Sequence, residues 1–326
     1  MSASQPLLAL DFGGTQLSAA LTTPEMLAES RWLARERELA AAGIDAQSDL
    51  QALLSLSRRL LGGAAPAAVG VSFGGPVDAL AGIVRRSPHV PGWENFPLRQ
   101  VLEAELQCPA ALDNDANAAA LGEYRFGAGA GVASLLYVTV STGVGGGWIL
   151  DGKIWRGAQG MAGEIGHTSL DPQGPLCLCG KRGCVERLAS GPFLVQDARL
   201  ALIADASQGA EIRKLCGGAY DRITGELLSR AAQAGDPLAT RLLTRSAWAV
   251  GVGLGNAANL INPERAILGG GVTKAGPAWW EEVRRAARET MLAGVELPIA
   301  PARLGDDAPL WGAIALALEA LPDERG

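Results

Sequence analysis

Leu7-Leu-Ala-Leu-Asp11-Phe-Gly13-Gly14-Thr15-Gln-Leu-Ser-Ala-Ala-Leu21 and Leu135-Leu-Tyr-Val-Thr-Val-Ser-Thr142-Gly143-Val-Gly145-Gly146-Gly147-Trp-Ile-Leu150 share one plan. Each is an apolar strand, a tight Gly/Thr turn and a second apolar strand. Such a turn offers backbone N–H groups and a hydroxyl to an anion, and glycine lets the backbone approach closely. Two copies in one chain point to a duplicated α/β fold that grips a polyphosphate from both sides. The chemistry they imply is phosphoryl transfer.

The chain has 326 residues, enough for two domains with sizeable cores. A net charge of -6 argues against a nucleic-acid partner. The apolar fraction of 48% with 19% charged residues fits a globular enzyme and excludes a disordered chain. Met-Ser-Ala-Ser-Gln-Pro at the start carries no basic leader, and the longest apolar runs, 247–260 and 310–321, are too short to span a bilayer. The expectation is a soluble cytoplasmic protein with no membrane partner.

Leu7 to Asp11 and Leu17 to Thr22 read as a hairpin. Leucines at 50, 53, 54, 56, 60 and 61 predict a helix over 48–61, capped by Ser48 and stopped by Gly62-Gly63. Ala67 to Phe73 reads as a buried strand and Asn114 to Tyr124 as a helix. Further helices are expected at 192–206, 237–261 and 277–293, with a strand from Arg265 to Leu268. Glycine content near 125–132 suggests the domain boundary. The expected division is a smaller domain over 1–125, joined by a C-terminal helix over 308–326, and a larger domain over 126–307 that carries a Cys-rich loop.

Three groups of residues carry chemistry. Asp11 stands where the first strand meets its turn, where a carboxylate can hold magnesium against phosphates or simply cap the turn. Asn114 and Asp115 precede an Ala-rich helix. They can cap it, but a carboxylate there is also suited to accept a proton from an attacking hydroxyl. His167, Cys177, Cys179 and Cys184 fall within 18 residues. A Cys₃His set suits structural tetrahedral zinc; buried free thiols, or one disulfide with a thiol left over, are the alternatives. Gly269-Gly270-Gly271 after a strand can cradle an adenosine or close a turn. Cys108 and Cys216 read as core residues.

Together these motifs resemble the ROK family (repressors, open reading frames and sugar kinases). Asp11-Phe-Gly13-Gly14-Thr15 is similar to its first phosphate motif and Gly74-Gly75-Pro76-Val77-Asp78 to its sugar-side glycine loop. Asn114 to Glu123 and Thr142-Gly143 to Gly147 resemble the next two. Ala162-Gly-Glu164-Ile-Gly-His167 with Cys177-x-Cys179-Gly-x-x-Gly-Cys184-x-Glu186 resembles its zinc signature.

The resemblance implies an actin-like ATPase (ribonuclease H-like) fold whose two domains form a catalytic cleft on ATP, magnesium and a hexose. It implies Asp115 as the catalytic base towards the sugar 6-hydroxyl, with Gly75, His89, Asn114, Glu164, His167 and Glu186 binding the sugar. Asp11, Gly13, Gly14, Thr15, Thr142, Gly143, Gly269, Gly270 and Gly271 would bind the nucleotide. His167, Cys177, Cys179 and Cys184 would hold zinc, with the second ring nitrogen of His167 turned to the sugar. A homodimer is implied as well.

Two departures stand out: Gln16 where the family usually has Lys or Asn, and His89 where it usually has Asn. The expected substrate is glucose, from Glu164 in its motif. N-acetylmannosamine or N-acetylglucosamine is the alternative, from the similarity of Asp171-Pro-Gln-Gly-Pro-Leu-Cys177 to N-acetylmannosamine kinases. A sugar-responsive repressor is disfavoured, because the phosphate strand starts near residue 7 and the chain is acidic.

Overall fold

The computed structural model describes residues 5–14, 16–39, 45–87 and 90–322. Thr15 and His89, both singled out above, lie outside them. The chain forms two compact units: Met1–Ala133, Gly147–Ala162 and Ala302–Gly326 in the first, Ser134–Gly146 and Gly163–Pro301 in the second.

The first unit runs β1 (Leu7–Phe12), β2 (Gln16–Thr22), α1 (Pro24–Leu27), β3 (Ala34–Leu39), α2 (Ala46–Leu61), β4 (Ala68–Phe73), β5 (Val77–Asp78), β6 (Ile83–Val84), α3 (Leu98–Leu106), β7 (Ala110–Asn114) and α4 (Asp115–Phe126). The sheet order is β3-β2-β1-β4-β7. β1 pairs antiparallel with β2 around the first Gly turn and parallel with β4, and β4 runs parallel to β7. The register sets Asp11 opposite Ser72, and Ser72 opposite Asp113, at the carboxyl ends of these strands.

One face of the sheet buries leucines of β1 and α2 with an aromatic cluster. Trp93, 1% exposed, meets Phe12 and Phe73 edge-on at centroid distances of 5.3 and 5.0 Å. The cap of α2 differs from the expectation. Asp45 caps it, accepting the N–H of Ser48 at 3.0 Å, because Ser48 already lies inside the first turn.

The second unit begins with β8 (Leu135–Val140) and enters β9 (Val144–Leu150), which passes back to the first unit after Gly146. β10 (Lys153–Ile154) follows there. The second unit resumes with α5 (Val185–Ala189), α6 (Gly191–Ala204), α7 (Ala210–Cys216), α8 (Gly225–Gln233), α9 (Pro237–Ile261), β11 (Arg265–Gly269), α10 (Pro277–Thr290) and β12 (Ile299–Pro301). The sheet order is β10-β9-β8-β11-β12, with β8, β11 and β12 parallel. Asp236 secures α9 by accepting the N–H groups of Leu238 and Ala239, and its other oxygen accepts those of Glu211 and Ile212 in α7.

The last helix, α11 (Ala308–Ala320), packs in the first unit against β4 and α4. Two glycines allow it. A Cβ on Gly70 of β4 would lie 1.7 Å from the Ala313 carbonyl oxygen, and one on Gly312 would lie 1.7 Å from that of Ala118. The chain reaches this helix through Glu123. Its fully buried carboxylate accepts the N–H groups of Ala128, Arg303 and Leu304. Among the described residues no helix is long and apolar enough to cross a membrane.

Candidate active site

In the first unit the site is built where strands end. Asp11 is the penultimate residue of β1, and the turn after it is closed by Gly13 N–H donating to the Gln16 carbonyl at 3.1 Å. The Ser72 hydroxyl, one strand over, donates to Asp11 Oδ1 at 2.7 Å. Burial pushes the Asp11 carboxyl up to about 7; the Ser72 bond opposes this, the charge of Asp115 adds to it and Arg37 opposes it. The charge of Asp115 is thus felt at Asp11.

The chain leaves β7 directly into α4. Asn114 caps α4, its Oδ1 accepting Ala116 N–H at 2.9 Å, while its Nδ2 donates to the Gly75 carbonyl at 3.1 Å. The cap thus fixes the glycine loop that follows β4. Asp115 is the first helical residue, and its Oδ1 also accepts Ala116 N–H at 2.8 Å. The positive end of the helix favours a carboxylate at this position.

In the second unit β8 and β11 end side by side, Gly269 opposite Thr139. That register brings the Ser141-Thr142-Gly143 turn next to Gly270 and Gly271. Gly270 has φ +89°, and a Cβ there would lie 2.5 Å from the Val140 carbonyl oxygen, so only glycine fits. The second turn is braced by α5, where Glu186 Oε2 accepts Val144 N–H at 2.9 Å. The N-terminus of α6 meets the same turn, Gly191 N–H donating to the Ser141 carbonyl at 2.9 Å.

The Cys-rich loop folds back on itself through short bridges, Ser169 to Cys184 and Leu176 to Arg182. These bring His167, Cys177, Cys179 and Cys184 together with all four donor atoms within 4.8 Å of one another. Cys179 and Cys184 sulfurs are 3.6 Å apart, and Cys177 Sγ is 3.9 Å from His167 Nδ1. A tetrahedral zinc ion with Zn–S of about 2.3 Å and Zn–N of about 2.0 Å has ligand–ligand edges of roughly 3.5–3.8 Å, so the donor set fits such an ion. Burial pushes the Cys184 thiol up to about 12 and also raises Cys177, whereas the Lys181 N–H lowers the exposed Cys179. A divalent cation would displace those protons. The other ring nitrogen, Nε2 of His167, lies 4.0 Å from Glu164 Oε2, and the Glu164 side chain is 53% exposed. One imidazole therefore links the Cys cluster to an open carboxylate.

Of the residues singled out in the sequence, Asp11, Gly75, Asn114 and Asp115 assemble in the first unit. Glu164, His167 and the three cysteines assemble in the second, as do Thr142, Gly143 and Glu186 with Gly269 to Gly271. Ser72 and Asp113 escaped the sequence reading. Ser72 could have been found, because strand alternation puts it on the face of Asp11 rather than with Val71 and Phe73.

The α/β units with their strand–Gly turn–strand openings form the actin-like ATPase fold in two domains. The chain belongs to the ROK family, whose profile matches residues 7–320. A glucokinase of Streptomyces coelicolor is 37% identical over 258 residues, 78% of this chain and 81% of that protein. An N-acetylmannosamine kinase of Yersinia pseudotuberculosis is 35% identical over 319 residues, 96% of this chain and 99% of that one. The solved ROK family glucokinase of Streptomyces griseus, in complex with glucose and AMPPNP, superposes with a TM-score of 0.82 at 34% identity, covering 96% of this chain and 99% of that one.

Proposed function

We propose that this ATP-dependent sugar kinase phosphorylates the 6-hydroxyl of glucose. The observation that carries the reading is Asp115 at the first turn of α4, with its charge felt by Asp11 at the end of the phosphate strand. A general base and a cation-holding carboxylate are the two acidic groups that phosphoryl transfer to an alcohol requires.

In this reading Asp115 accepts the proton of the 6-hydroxyl as its oxygen bonds to the γ-phosphorus. The bond from that phosphorus to the bridging oxygen breaks, and ADP leaves with the electron pair. Asn114, Gly75, Glu164, His167 and Glu186 hold the sugar. Gly13, Gly14, Thr142, Gly143 and Gly269 to Gly271 line the nucleotide. Asp11 would hold magnesium, which offsets phosphate charge, and such a cation would relieve the repulsion between Asp11 and Asp115. Zinc on His167, Cys177, Cys179 and Cys184 would fix the His167 ring towards the sugar rather than act on the phosphate.

The likeness to the N-acetylmannosamine kinase over nearly the whole chain supports an N-acetylated hexosamine as the second substrate reading. A coupled assay of ADP release with glucose, mannose, fructose, N-acetylglucosamine and N-acetylmannosamine separates the two. The glucose reading expects the highest kcat/KM for glucose. A clear preference for an N-acetylated sugar replaces it with the second.

A further inference from the structure

Asp113 stands immediately before Asn114 and Asp115 and has no part in the chemistry above. Its side chain is 2% exposed, yet its two oxygens are divided between two elements. Oδ1 accepts the N–H of the cap residue Asn114 at 2.8 Å and the Nδ2 of Asn117, on the first turn of α4, at 2.8 Å. Oδ2 accepts Arg156 Nε at 2.6 Å. The buried Oδ1 of Asn117 has no hydrogen-bond partner among the described residues, so the Asn117 amide is oriented through Asp113.

Arg156 belongs to the segment that follows β10. That segment closes on itself through Ala162 N–H donating to the Arg156 carbonyl at 3.0 Å. It also lies against β5, since a Cβ on Gly160 would be 3.3 Å from the Val77 carbonyl oxygen. Arg156 thus ties the start of α4 to a segment that also touches the strand after the Gly74-Gly75 loop. A buried carboxylate held by one guanidinium and two amide donors has a single low-energy position. Moving it moves the residue pair that follows it.

We propose that the Arg156–Asp113 ion pair is a positioning device that sets the angle at which Asp115 meets the sugar hydroxyl. The proposal rests on Asp115 being the base. Arg156 would touch neither substrate; it would act through Asp113, whose Oδ1 fixes the first turn of α4. A displacement of about 1 Å at a reacting group can lower a rate about a hundredfold.

The test uses the full chain with magnesium-ATP and its best sugar. Wild type, Asp115→Asn, Arg156→Ala, Arg156→Lys, Asp113→Asn and the Arg156→Ala/Asp113→Asn double variant are compared in kinetics and melting temperature. Arg156→Ala is expected to lower kcat about tenfold to a hundredfold while both KM values stay within about threefold. Because the Arg156 side chain is 29% exposed, added guanidinium at millimolar concentration is expected to restore part of that kcat. The double variant is expected to be no slower than the slower single variant, the sign of two residues acting as one unit. Unchanged kcat in a folded Arg156→Ala, or a kcat loss matched by instability with no guanidinium rescue, overturns the proposal. If Arg156→Ala does not fold, Arg156→Lys decides: lowered kcat at a near-normal melting temperature supports it and normal kcat overturns it. An active Asp115→Asn, or a wild type inactive on every sugar, instead removes the reading on which the proposal rests.

Discussion

Glu186 and Val144 are joined by a 2.9 Å hydrogen bond from the Val144 N–H to Glu186 Oε2, so a side chain of α5 holds the second glycine turn. The contact explains Gly143, where a Cβ would lie 2.8 Å from the same oxygen. The residue proposed to hold the sugar therefore also shapes the turn proposed to line the nucleotide. Glu186→Ala is expected to raise the KM for ATP as well as for the sugar, each about tenfold or more, the scale of a charge-assisted hydrogen bond. Steady-state kinetics with each substrate varied checks this. An effect confined to the sugar would show that the turn does not depend on Glu186.

Metal content is expected at about one zinc per chain, lost in Cys179→Ser, with the KM for the sugar raised and the KM for ATP little changed. The asymmetry follows from His167, whose Nδ1 faces Cys177 and whose Nε2 faces Glu164. Elemental analysis with kinetics measures both. Normal zinc and normal sugar affinity in Cys179→Ser would contradict the assignment.

Asp11 makes stability depend on pH. Its carboxyl is raised from 3.8 to about 7 in the folded chain, chiefly by burial. The folded state then binds a proton that the unfolded state has released, so this contribution is fully present below the unfolded pKa and is lost as pH rises towards 7. Without nucleotide or magnesium, the melting temperature of Asp11→Asn relative to wild type is expected to rise between about pH 4 and about pH 8. A constant difference across that range would show that Asp11 titrates normally.

Glu123 carries a structural expectation. Its carboxylate, with no exposed surface, serves the N–H groups of Ala128, Arg303 and Leu304. Glu123→Ala removes the buried acceptor that three part-buried N–H groups share and is expected to cost about 2 kcal/mol or more. Glu123→Gln, which keeps one acceptor oxygen, is expected to cost less. Urea unfolding of both variants measures the difference.

Much of this was legible in the sequence because glycines and strands announce themselves. The two Gly turns, the helix over 237–261 and the His/Cys cluster follow from local spacing alone. The α2 cap was misread because Asp45 and Ser48 are both good caps, and only the backbone tells which one precedes the helix. Ser72, Asp113 and Arg156 were missed for a different reason. Ser72 looks like one polar residue in an apolar strand, and its partner Asp11 is 61 positions away. Arg156 lies 43 positions from Asp113 in a segment without periodicity, so nothing local joins them. Gln16, the departure at the first turn, contributes its backbone carbonyl to Gly13, a role indifferent to its side chain.

Product analysis by phosphorus NMR, with glucose and magnesium-ATP and with wild type beside Asp115→Asn, is the most direct test of the phosphoryl-transfer reading. Wild type is expected to form glucose 6-phosphate with one ADP per product. Asp115→Asn is expected to lose about 10²-fold to 10⁴-fold in kcat while binding glucose nearly as well. Glucose 6-phosphate formed by Asp115→Asn at a near-wild-type rate, or no phosphorylated sugar from the folded wild type with any hexose tried, would contradict it.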